Sequence, residues 1–142
     1  MAAPSGPGGG PVGFAGGSFT GPAEALELVG NHCYAYSGIV QSAGSQSAAT
    51  TTTLKFTTGN FYSKIRITFS NNNISTTANE FYLINMNGVS VYKAENEHGI
   101  DTVTNPTLIY MIIPPYTEFE SFVGSSADGY DFTTIITGRI YR

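Results

Sequence analysis

FYSKIRITFS, residues 61–70, alternates apolar and polar side chains along most of its length. Phe61, Ser63, Ile65, Ile67 and Phe69 fall on one side of an extended chain, and Tyr62, Lys64, Arg66, Thr68 and Ser70 on the other. A helix would scatter both sets around its circumference, so the segment is a strand with one buried face. The same period runs outward from it. TTTTLKF (residues 50–56) is rich in β-branched threonine and forms the preceding strand, with TTGN as the turn between them. EFYLINMNGVSVYK (residues 80–93) reads as a hairpin: Asn87-Gly88 supplies the two positive-φ positions of a type I′ turn and sets Met86 against Val89.

Three further strands follow. TLIYMII (residues 107–113) is apolar throughout and predicts a buried strand, ended by Pro114-Pro115, neither of which can donate to a ladder. TEFESFV (residues 117–123) alternates again, with Glu118 and Glu120 marking its solvent face. YDFTTIITGRIY (residues 130–141) is a long closing strand, and GSSADG before it is a loop. GPAEALELVGN (residues 21–31) fits one helical turn between Pro22 and Gly30, or a strand carrying Leu26 and Leu28. About eight short strands, with turn signals every 8–12 residues or so, predict an all-β sandwich of antiparallel strands over residues 31–142.

Residues 1–30 read as an N-terminal arm. Its first 22 residues, MAAPSGPGGGPVGFAGGSFTGP, carry no charged side chain. Ordering some twenty such residues costs on the order of 20–40 kcal/mol, most of all at glycine. Burial of Val12, Phe14 and Phe19 returns roughly 2–3 kcal/mol each. The arm therefore needs a partner to hold it, and Val12, Phe14 and Phe19 are the candidate partner-binding anchors.

Composition removes several classes of function. Only 11% of the 142 residues are charged, the net charge is −4, and no lysine or arginine precedes Lys55. The chain thus lacks the basic footprint by which nucleic-acid binders displace counterions. No run approaches the ~20 apolar residues of a membrane span, and the N-terminus has neither the basic start nor the apolar run of a signal peptide. The sequon Asn73-Ile74-Ser75 is therefore read as incidental. The single cysteine, Cys33, lies in the alternating stretch HCYAYSGIV and reads as a small buried hydrophobe.

Catalytic patterns fail one by one. GPGGGPVG lacks the Lys-Ser/Thr of a phosphate-binding loop, and Ser18 in GGSFTG is not in a G-x-S-x-G elbow. His32 and His98 show no metal-ligand spacing. Glu95, Glu97, His98 and Asp101 in ENEHGID are candidate calcium or zinc ligands by type, but the segment reads as a solvated connection. Asp128 and Asp131 read as turn residues, and Glu118 with Glu120 lacks a third element that would make a glycosidase pair. The sequence predicts no enzyme, no catalytic residue, no cofactor and no metal. Nine tyrosines and nine phenylalanines remain. Tyr34, Tyr36, Tyr62 and Tyr110 form a sugar-stacking platform if exposed together, but the preferred reading assigns them to core and subunit contacts.

The series YAYSGIV, LKFTTGNFYSKIRITF, FYLINMNGVSVY, IIPPYTEFE and ITGRIY resembles small structural proteins of tailed bacteriophages, over residues 33–142. The resemblance implies a single jelly-roll-like β-sandwich, here preceded by the extended N-terminal arm read above, and a capsid decoration or cement role without catalytic residues. It implies a place on the outer surface of the virion after synthesis in the host cytoplasm. The implied partners are the major capsid protein or other virion subunits, with self-association as a homo-oligomer such as a trimer. An uncharged arm does not suit contact with a packaged genome, but it suits lying across a neighbouring subunit. The alternative implied role is a receptor- or glycan-binding module attached to tail or head.

Overall fold

The computed structural model describes residues 21–42, 44–71, 78–96 and 107–142. Val12, Phe14, Phe19 and Ser18, the sequon at 73–75, and Glu97, His98 and Asp101 lie outside the described residues.

Among the described residues ten strands form and there is no helix. They are β1 (Glu27–Val29), β2 (His32–Tyr36), β3 (Val40–Gln41), β4 (Thr51–Thr57), β5 (Tyr62–Asn71), β6 (Glu80–Met86), β7 (Val89–Asn96), β8 (Thr107–Ile113), β9 (Glu118–Ser125) and β10 (Asp131–Tyr141). One sheet runs β1-β2-β10-β5-β8, with β3 beside β10 beyond the end of β2; the other runs β4-β9-β6-β7. Every strand pairing is antiparallel.

The eight longer strands follow a simple rule. β2 pairs β10, β4 pairs β9, β5 pairs β8 and β6 pairs β7, nested like one long two-stranded ribbon. The ribbon's tip is Asn87-Gly88, where φ angles of 50° and 77° make the type I′ turn and place Met86 opposite Val89. Asn87 also fastens the tip: its N–H donates to the Glu118 carbonyl, and its Oδ1 accepts from the Glu118 N–H, both at 2.8 Å. Rolling the ribbon up brings β10 against β5 and β9 against β6. The result is a jelly roll.

The period of two read in FYSKIRITFS decides the core. Ser63, Ile65, Ile67 and Phe69 point inward from β5, joined by Cys33 and Ala35 from β2 and by Phe132, Ile136 and Ile140 from β10. Leu54, Phe56, Tyr82, Ile84, Phe119 and Val123 meet them from the second sheet. Phe56 stacks on Phe119 at 4.9 Å, while the Tyr82 ring spans the sheets to Phe69 at 5.0 Å and to Phe132 at 6.1 Å. Hydroxyls add a polar tie across the same interior. Thr134 Oγ1 of β10 donates to Thr53 Oγ1 of β4 at 2.8 Å, and Thr53 Oγ1 lies 2.7 Å from Ser121 Oγ of β9.

Two expectations change. Residues 21–30 belong to the folded body and not to the arm. Ala23 bridges Leu54 in parallel, Leu26 is buried in the core, and β1 pairs β2 around Gly30, whose φ is 62°. The segment that fitted either helix or strand is thus a strand. TLIYMII does end at the prolines, but β8 is not buried on both faces: it is the last strand of its sheet. Ile113 enters the core and Ile109 and Met111 pack against it, whereas Leu108, Tyr110 and Ile112 remain 50%, 69% and 58% exposed. An unbroken apolar run ordinarily marks burial on both sides; here one of those sides is open.

Candidate binding face

The antiparallel register aligns the outward side chains of the six-stranded sheet in rows. One row crosses Val29, His32, Arg139, Lys64 and Ile112. The next crosses Glu27, Tyr34, Thr137, Arg66 and Tyr110, and the one beyond it Tyr36, Ile135, Thr68 and Leu108. At the other side of the cationic row, Tyr141 stands opposite Tyr62. Sheet geometry sets neighbours within a row roughly 5 Å apart.

This face is unusual in two respects. Its aromatic and aliphatic side chains are contiguous, and Tyr62 and Tyr141 are both more than half exposed. Its charges are also of one sign at the centre: Arg139 stands directly opposite Lys64, with the His32 ring on its other side. Like charges placed opposite each other weaken a sheet. Lys64, Arg66 and Arg139 make no ion pair among the described residues, where the salt bridge found is Lys55–Glu120 on the other sheet. The acids on the cationic face, Glu27 and Asp131, stand toward its margins. Burial pushes the Glu27 carboxyl above its ordinary range.

β10 divides the face into two shallow depressions. One, of about 370 Å³, is bordered by Lys64, Arg66, Tyr110, Arg139 and Tyr141. The other, of about 440 Å³, is bordered by His32, Tyr34, Tyr36 and Arg139. Gly138 lies between them. A Cβ there would sit 2.2 Å from the Lys64 carbonyl oxygen, so only glycine lets β10 and β5 approach this closely. Tyr34 and Tyr36 lean on one another at 5.0 Å between ring centroids. The arrangement offers aromatic surface for stacking and cations for anionic groups, with Arg139 shared by both depressions.

The structure corrects one half of the sequence reading of the tyrosines, their assignment to the core. Tyr34, Tyr36, Tyr62 and Tyr110 do not enter the core; all four lie on this one outer face. His32, Arg139 and Tyr141 join them, and none of these was singled out for binding from sequence. The missing information was strand order, because the alternation in residues 61–70 places Lys64 and Arg66 on a solvent face without saying which strands flank them.

Other candidates resolve differently. Cys33 is buried, and burial pushes its thiol up to about 11. Among the described residues no three His, Cys, Asp or Glu side chains gather to hold a metal ion. Glu95 accepts from Asn79 Nδ2 at 3.2 Å, and Asp128 accepts from the Gly44 N–H at 3.0 Å beside the turn at Gly129. Glu120 is held by Lys55 at 2.7 Å. No model of a known protein family matches the chain, and no curated protein matches it.

Proposed function

We propose that the protein is a structural subunit of a bacteriophage virion, a capsid decoration or cement protein that attaches through the outer face of its six-stranded sheet. One observation carries the reading: tyrosines and aliphatic side chains are exposed contiguously around three cations that have no ion-pair partner among the described residues. Exposed apolar patches with aromatic and arginine content are the composition of protein interfaces. The partner surface is apolar with acidic groups, the complement of Arg139, Lys64 and Arg66. A major capsid protein or another virion subunit presents it, and Val12, Phe14 and Phe19 of the arm add anchors on neighbouring subunits.

A second reading has its own support. Four tyrosines on one exposed face would also stack sugar rings, which favours a receptor- or glycan-binding module at the tail or head. Quantifying the protein in purified, fractionated virions separates the two. Hundreds of copies distributed over the shell support decoration, a few copies at the tail support the second reading, and absence from particles overturns both.

A further inference from the structure

The sandwich has four sheet edges, and three of them are guarded. β1 is only three residues long and carries Glu27. β4 is covered by residues around Ala23, whose N–H donates to the Thr53 carbonyl while its own carbonyl accepts from the Lys55 N–H. β7 carries Lys93 and Glu95, and its register shifts opposite Ile84 and Asn85. Short strands, covering segments, charges and bulges are the devices by which proteins keep edges from pairing with other chains. Among the described residues β8 has none of them. Its seven residues, Thr107–Ile113, include no charge, no proline and no bulge against β5. No described segment pairs with its outer edge.

We infer that β8 pairs antiparallel with β8 of a second copy, on a two-fold axis through Tyr110, so that two six-stranded sheets become one continuous sheet. The strand matches itself in that register. Leu108 meets Ile112 of the second copy on the outer side, Ile109 meets Met111 on the core side, and Tyr110 meets its own symmetry mate. Each contact is apolar or aromatic, and each unpaired row of backbone N–H and C=O groups finds its complement. Charge does not oppose the pairing. Arg66 lies one strand in from Tyr110, so the two Arg66 side chains stand three strand spacings apart, about 14 Å, beyond the ~10 Å screening length at 0.1 M salt. This inference stands on the edges and not on the virion reading.

Sedimentation and cysteine cross-linking of the full chain test it together. The wild-type chain is expected to form a dimer that dissociates on dilution, and Tyr110→Lys to lose it while keeping its β circular-dichroism spectrum. Cysteine at a residue that faces its own mate sits ~4.5–5.5 Å from it between Cα atoms, within disulfide reach. Tyr110→Cys should therefore form a disulfide-linked dimer under mild oxidation. Leu108→Cys and Ile112→Cys should fail alone, because each lies some 14 Å from its own mate, and should cross-link when mixed. The buried Cys33 does not compete. A chain that stays monomeric at every concentration overturns the inference. So does a dimer that Tyr110→Lys leaves intact, or one in which Leu108→Cys links as readily as Tyr110→Cys. Dimerisation that begins only when residues 1–20 are removed also overturns it, since that segment would then be the edge's natural occupant.

Discussion

The two sheets of the jelly roll share one interior and differ on their outer faces. On the four-stranded sheet, charge is compensated: Lys55 meets Glu120 at 2.7 Å, and Glu120, with Glu118 nearby, holds the Lys55 ammonium above its ordinary range. Lys93 and Glu95 alternate along β7 on the same side. On the six-stranded sheet, Lys64, Arg66 and Arg139 crowd together among tyrosines and aliphatic side chains, with acids toward the margins. Neighbouring side chains answer the charge on the first face. The second retains local repulsion and exposed apolar area, both of which a complementary surface would relieve. The difference shows where the folded body is chemically unfinished.

If only the outer faces differ, then equivalent damage inside either sheet should cost the same. Phe119→Ala in β9 and Phe69→Ala in β5 each remove a fully buried ring. Each is expected to lose about 3–5 kcal/mol in denaturant titrations, and a large inequality would break the premise of a shared core. Thr53→Val comes next. It keeps the shape but strands the hydroxyls of Thr134 and Ser121, and should cost about 1–3 kcal/mol by the same measurement.

Smaller effects sharpen the contrast between the faces. Arg139→Gln removes the charge opposite Lys64, so the isolated body should gain roughly 0.2–1 kcal/mol while attachment weakens. A loss of stability in the isolated body would show that Arg139 is already compensated. The smallest response belongs to Cys33. Its thiol should resist alkylation at neutral pH until the chain unfolds. The native fold holds that proton to about pH 11 and the unfolded chain releases it near 9.0, so stability should fall as pH rises through this interval. Rapid labelling of the native protein would contradict the buried placement.

Most strands were legible because they rest on local alternation. Phe61–Ser70, the Asn87-Gly88 turn and the stop at Pro114 each follow from a few adjacent residues. β8 was legible as a strand but not in its position, since an apolar run looks the same in the middle of a sheet and at an open edge. β1 and β3, at three and two residues, are too short to show a period. The candidate binding face was legible only in fragments. Arg139, Lys64, His32 and the tyrosines come from strands far apart in the chain, and only the nested ribbon brings them into shared rows.

The central claim is that the outer face of the six-stranded sheet is the attachment face. Hydroxyl-radical footprinting of the purified protein and of virions carrying it compares both faces in one experiment. The account predicts strong protection of Tyr34, Tyr36, Tyr62 and Tyr141 in the virion, with Val91 and Phe122 on the four-stranded side unchanged. Protection of Val91 and Phe122 with the tyrosines still reactive would contradict it.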